Sequence, residues 1–220
     1  MDIIEAMKAR YSVRGFKPKP VSREIIAQIL QVAVRAPSWG NLQTWEFAVV
    51  GGEVMKELEL ILAEKASVSD ERYPDIPQPQ WPSLYMERRR ENGLRLYQHM
   101  GISREDKEKQ LRWFVDMYRF FDAPNGIIVY TEKGLSEWAL LNIGLVVQNI
   151  ALGALNYGLG TTILAAGMSY PDEVRHLLHI PESKQLVVAI AIGYPDEEAL
   201  ANKFRSRRVP LDEIVTWHGL

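Results

Sequence analysis

Apolar positions set the first frame of this chain. Ile25, Ile26, Ile29, Leu30, Ala33 and Val34 recur at three- to four-residue spacing, which predicts a helix with one buried stripe. Ser22 stands at its N-cap position, and Pro37 ends the run. Upstream, Asp2 and Glu5 are spaced as a capping box before Ile3, Ile4 and Met7, predicting a short helix to about Lys8. Four short runs, 45–50, 126–131, 161–166 and 186–193, are apolar and rich in branched residues and read as buried strands. Gly51 and Gly52 close the first, and a helix from Glu53 to about Lys65 follows. Residues 136–158 form a long helix that is apolar on nearly every face, and "NYGLG" closes it as a C-cap. The segment "PDEVRHLLHIP" reads as a short amphipathic helix.

Between the first two strands the pattern breaks. Residues 66–82 carry Pro74, Pro77, Pro79 and Pro82, a density that no regular element tolerates. A highly charged helix, "YMERRRENGLRLYQHMG", comes next. Ser103 with Asp106 is expected to cap a further helix through "KQLRWFVDMYRFF". An excursion of this length, about 66–120, reads as a lid or binding insert. Few apolar strands mixed with helices predict one sheet covered on both faces, an α+β or α/β sandwich.

The greasy helix poses a second question. Its length approaches that of a membrane span, but Asn142, Gln148 and Asn149 would face hydrocarbon, and Glu132, Lys133 and Glu137 form no positive anchor. It reads instead as a helix buried on all sides, with a second subunit as part of the cover.

The chain has 220 residues, 47% apolar and 25% charged, with a net charge of −2. This is a globular balance that argues against general nucleic-acid binding. The absence of cysteine excludes disulfides, thiol nucleophiles and Cys-ligated metal. The segment "MDIIEAMKAR" has acidic residues and no apolar run, so no signal peptide and a cytoplasmic setting are expected. His176 and His179 lack a third ligand, so no metal is expected. Nucleophile-elbow, P-loop and dinucleotide glycine motifs are absent.

What the chain offers instead is guanidinium chemistry. Arg10 and Arg14 flank Ser12 near one end, and Arg205, Arg207 and Arg208 cluster near the other. Chain ends tend to lie close together, and Arg suits bidentate binding of phosphate. The competing reading is a set of solvated surface arginines. The loop "PSWGNLQTW" offers Ser38, Asn41 and Gln43 as polar groups beside Trp39 and Trp45, fit to read the edge of a planar ring or simply to satisfy its own turns. A phosphate clamp without recognisable acids, bases or nucleophiles fits a protein whose cofactor carries the chemistry.

Four segments, in order and spread over nearly the whole chain, resemble the flavin-dependent nitroreductases. "RYSVRGF" resembles that family's R-x-S-x-R motif. "APSWGNLQTWEF" resembles A-P-S-x-x-N-x-Q-P-W-x-F, with Thr44 in place of proline. "NYGLGTTILAAG" resembles the segment under the flavin, and "RSRRVPLDEIV" the basic motif before P-L-E-E-I-V. The insert is similar to that of the nitroreductases acting on nitrobenzoates and dinitroanilines. The resemblance implies an α+β, three-layer α-β-α sandwich over residues 1–220, with a central, mostly antiparallel sheet and the greasy helix in a homodimer interface. It also implies FMN, with Arg10, Tyr11, Ser12, Arg14, Arg205 and Arg208 at its phosphate and ribityl chain. Pro37, Ser38, Trp39 and Asn41 would come from the second subunit. Ile163, Leu164 and Ala165 would lie along the ring, through backbone rather than side-chain contacts. NADPH or NADH would reduce the flavin by a ping-pong mechanism. A small aromatic nitro or quinone acceptor would sit under Trp81, Tyr85 and Tyr118. A reductive dehalogenase or other FMN oxidoreductase on the same scaffold, and a flavin-binding protein without turnover, stand as alternatives.

Overall fold

The computed structural model describes residues 2–68, 71–77 and 79–220. Helix α1 (Ile3–Ala9) starts where the Asp2 carboxylate accepts from the backbone N–H groups of Ile4 and Glu5. In α2 (Arg23–Ala33) the Ser22 hydroxyl accepts from Ile25 N–H. Both are side-chain caps on orphan first-turn donors, as the sequence predicts. Strand β1 (Glu46–Gly51) runs into α3 (Gly52–Val68). Helices α4 (Ser83–His99) and α5 (Lys107–Tyr118) follow, then β2 (Asn125–Glu132) and α6 (Glu137–Leu155). The order closes with β3 (Gly160–Leu164), α7 (Pro171–Leu178), β4 (Lys184–Gly193) and the short α8 (Leu200–Lys203).

The strands form one sheet in the order β1-β2-β4-β3, and every adjacent pair is antiparallel. Alternate side chains enter two cores. Ile128, Ala189 and Ala191 face Met55, Leu58 and Leu62 of α3, Tyr118 of α5 and Val174 of α7. Ile127, Val129, Ile190 and Ile192 face Ile26 and Ile29 of α2 and Ile143, Val146 and Ile150 of α6. Helices on both faces are why the central strands are apolar without alternation. The expected three-layer α-β-α sandwich is the observed one. A parallel bridge from Ser12 to Thr161 lays the N-terminal segment against β3.

Two local expectations need correction. Asp106 caps α5 by accepting from Lys109 N–H, whereas Ser103 takes no part in the cap and instead accepts from Gln110 Nε2 through its carbonyl. The helix also stops at Tyr118. Phe120, Phe121 and Asp122 have φ of 53°, 55° and 55°, a left-handed turn that brings both phenyl rings into the core at 0% and 6% exposure. Burial of two successive rings offsets a conformation that costs non-glycine residues. Within one protomer α6 keeps one face open, the face for which the sequence analysis expects a second subunit as cover. Ile143, Val146, Val147 and Ile150 are buried, but Trp138, Leu141 and Leu145 are 57%, 51% and 37% exposed.

Residues 71–77 and 79–82 of the proline-rich stretch lie in no helix or strand, and the stretch is tied down at Tyr73 and Asp75. The Asp75 carboxylate, itself nearly buried, accepts from the Arg175 guanidinium and from Leu186 N–H. Tyr73 N–H donates to Ser169 C=O at 3.1 Å, and its hydroxyl reaches Glu173 at 3.0 Å.

Candidate cofactor site

The two arginine-bearing ends meet. Val13 N–H donates to Thr161 C=O at 3.0 Å, and the Thr162 hydroxyl donates to Val13 C=O, so the "RYSVRG" segment is held along β3. Its next turn is fixed by a residue the sequence reading missed. Asn202, 4% exposed, accepts from Arg14 N–H at 2.7 Å and donates to Gly15 C=O and Asp196 C=O at 2.7 and 2.8 Å. The approach is too close for a larger residue at position 15, since a Cβ on Gly15 would lie 2.5 Å from the Ala199 Cβ.

This stitching brings Arg10, Tyr11, Ser12, Arg14, Arg205 and Arg208 around one cavity of about 690 Å³. Lys8 of α1, Asn92 of α4 and Gln148 of α6 complete it. Arg205 stacks on Tyr11, with Cζ 3.5 Å from the ring centroid, and donates to Asn202 C=O at 2.6 Å. Arg14 donates to Ser12 C=O at 3.3 Å, and Arg208 to the Ser206 hydroxyl at 2.8 Å. Among the described residues none of these four arginines forms an ion pair with a carboxylate. Burial, then the charge of Arg10, lowers the Arg14 pKa, and burial with the Arg208 charge lowers that of Arg10. Partly buried like charges without counter-ions need an anion to balance them. Guanidiniums, a serine hydroxyl and a cavity of this size fit a phosphate carried on a larger organic group.

The other expected residues fall elsewhere in the protomer. Pro37, Ser38, Trp39 and Asn41 form a separate turn. There Gln43 N–H donates to the Ser38 hydroxyl at 3.0 Å, and Trp39 N–H donates to Asn142 Oδ1 at 3.1 Å. Trp39 and Trp138 line a smaller cavity of about 150 Å³ that shares no lining residue with the first. Ile163 is 43% exposed and Leu164 points into the core, while Ala165 borders a third cavity beside Ile76 and Pro77. Trp81 and Tyr85 stand together, exposed, with ring centroids 6.2 Å apart. Tyr118 does not join them. It is 2% exposed in the core, where its hydroxyl accepts from Arg72 Nε at 2.8 Å.

The polar residues of α6 also gain an explanation. Asn142 is satisfied by Trp39 and Thr44, and Asn149 donates to Ala33 C=O at 3.2 Å. Gln148 instead reaches the basic cavity, so the one signal of it in the sequence is a polar side chain in an apolar run.

A two-faced α+β sandwich with a basic cavity at its β3 edge defines the class. The chain belongs to the nitroreductase family, whose model matches residues 7–194. It is 32% identical over 221 residues to "Nitrobenzene nitroreductase" from Ectopseudomonas oleovorans, covering 98% of this chain and 96% of the relative. Among solved structures it resembles an FMN- and NADPH-dependent nitroreductase NfnB from sphigopyxis sp. strain HMH, with TM-score 0.96, 32% identity and full coverage of both chains. It also resembles an FMN-dependent NfnB from Mycobacterium smegmatis in complex with NADPH, with TM-score 0.92 and 27% identity over 99% of this chain and 100% of that one.

Proposed function

We propose that this chain is an FMN-dependent NAD(P)H oxidoreductase that reduces nitroaromatic or quinone-type acceptors by a ping-pong mechanism. The observation that carries the reading is the cavity in which Arg10, Arg14, Arg205 and Arg208 converge without a carboxylate partner among the described residues. Relatives whose names state nitroaromatic reduction, and structural neighbours described as FMN- and NADPH-dependent, support it.

In this reading Arg10, Arg14 and Arg208 bind the FMN phosphate, Ser12 donates its hydroxyl, and Arg205 stiffens the wall by stacking on Tyr11. Bound FMN supplies the hydride-accepting and hydride-donating chemistry. The backbone at Ile163, Leu164 and Ala165 borders the ring, which the edge position of β3 permits. Trp81 and Tyr85 cover the aromatic acceptor, and Tyr118 supports that insert from the core.

The active species is a homodimer of single nitroreductase-like domains, residues 1–220, with 66–120 as the cover. The exposed stripe Trp138, Leu141, Gly144 and Leu145 on α6 supports this, because it ends at Gln148 in the basic cavity. Pairing would bury that stripe and carry the partner's Trp39 turn to the flavin ring. A cytoplasmic setting goes with this chemistry.

Anaerobic reduction tests the reading. The FMN-loaded protein is expected to bleach with NADPH or NADH and to regain its colour when a nitroaromatic is added. A protein that takes up no FMN, or whose flavin is not bleached by either nucleotide, overturns it.

A further inference from the structure

The basic cavity has a neighbour. Across Asn92 and Arg208, which border both, lies a second cavity of about 410 Å³. Its helical wall is one face of α4, because Arg88, Glu91, Asn92 and Arg95 repeat at three- to four-residue spacing. The opposite wall is Arg207, Arg208, Val209 and Pro210. Four guanidiniums therefore face two carboxylates, Glu91 and Glu213. The one ion pair across it among the described residues is long and exposed, Arg207 to Glu91 at 3.7 Å, and such pairs contribute little. Arg95 is steadied over the Phe204 ring and Arg88 over Tyr85.

We propose that this second cavity binds the adenosine 2′-phosphate of NADPH, and so sets the preference for NADPH over NADH. The inference rests on the proposed function, since it takes the first cavity to be occupied by the flavin phosphate. The first cavity is the one joined to β3 through Ser12, and the second adjoins it at Asn92 and Arg208 and has no β3 residue in its lining. Guanidiniums in excess over the carboxylates, held by no more than one long ion pair among the described residues, suit a phosphate dianion, and Arg accommodates the 2′-phosphate in other dinucleotide sites. Val209 and Pro210 add an apolar wall suited to a flat purine, and proline brings no N–H to leave unpaired. The volume falls in the range of small-ligand sites.

Calorimetric titration of the FMN-loaded protein with adenosine 2′,5′-bisphosphate, 5′-AMP and inorganic phosphate tests this without turnover. The bisphosphate is expected to bind about tenfold or more tighter than 5′-AMP, as one charge-assisted contact provides. Arg88→Gln and Arg207→Gln should each weaken the bisphosphate about tenfold, leave 5′-AMP binding unaltered and retain full FMN content. Glu91→Gln should change the affinity in the opposite direction, tightening the bisphosphate about two- to fivefold. Equal affinity for bisphosphate and 5′-AMP, competition by inorganic phosphate at equal strength, or indifference of all three variants overturns the assignment. Loss of FMN from the unsubstituted protein would instead strike the proposed function, and is read separately from flavin absorbance.

Discussion

Asn202 and Arg14, 188 positions apart, are joined by a 2.7 Å hydrogen bond from the Arg14 backbone N–H to the Asn202 side chain. The same amide donates to Gly15 C=O, so one buried side chain fixes the backbone that aims the Arg14 guanidinium into the basic cavity. Asn202 is a positioning residue. Asn202→Ala is expected to destabilise the fold by about 1–3 kcal/mol, the cost of leaving buried backbone groups unsatisfied. It should also weaken FMN retention. A thermal melt of the apoprotein and the flavin absorbance after gel filtration measure the two effects, and an unaltered flavin content in Asn202→Ala would detach this residue from the site.

Arg14→Ala is expected to lower FMN affinity about tenfold or more, because a charge-assisted contact contributes roughly 1.5–3 kcal/mol. Fluorescence titration of apoprotein with FMN at rising salt reads it. The variant should also show a shallower salt dependence, as one fewer cation faces the phosphate.

On α6, Gly144→Glu and Val147→Glu should behave differently. A Cβ at Gly144 meets no atom within 4 Å, so glutamate there should leave the protomer folded and place a charge in the exposed stripe, giving monomers by light scattering. Val147 is 5% exposed in the core beneath, and a glutamate there should prevent folding, because a buried unpaired charge is costly. A Gly144→Glu protein that stays dimeric would remove α6 from the subunit interface.

Glu59 couples stability to pH. Burial, with Asp122 adding to it and Arg119 opposing, raises its pKa to about 8, and its Oε1 has no hydrogen-bond partner among the described residues. The folded state therefore holds this proton at pH values where the unfolded chain has released it. The stability it contributes is full below the ordinary value of 4.5 and is lost as pH rises through about 8. Glu59→Gln should raise stability by about 1 kcal/mol near pH 9, a figure reduced for partial exposure, and by nothing near pH 4. Urea melts at the two pH values measure the difference.

The buried pair of Arg175 and Asp75, 7% and 12% exposed, anchors the proline-rich segment to β4. Arg175→Met leaves the Asp75 carboxylate buried without its cation and is expected to cost about 3 kcal/mol. Limited proteolysis should then cut near residues 71–77 first. Resistance equal to the parent protein would show that the anchor lies elsewhere.

Much of this was legible in the chain because the signals are local. Caps at Asp2, Ser22 and Asp106 act within three residues, and apolar spacing separates helix from strand within a dozen. The same reasoning singled out Arg10, Ser12, Arg14, Arg205 and Arg208, which the fold gathers around one cavity, since guanidinium chemistry needs no context to be read. It misjudged Tyr118 and the end of α5. An aromatic on an amphipathic helix can face core or ligand, and a helix that is apolar all round does not say which side the sheet takes.

The sequence by itself determined most of the elements, the absence of thiol chemistry and the residue types able to hold a phosphate. Only the tertiary structure decided that the two basic ends share one cavity, that Asn202 aims Arg14, that α6 keeps Trp138 and Leu141 uncovered, and that α4 turns Arg88 and Arg95 toward Arg207. The reason is one of range. Backbone propensity and capping act between neighbours along the chain, whereas burial and the convergence of charges depend on which distant segments the packed sheet brings into contact.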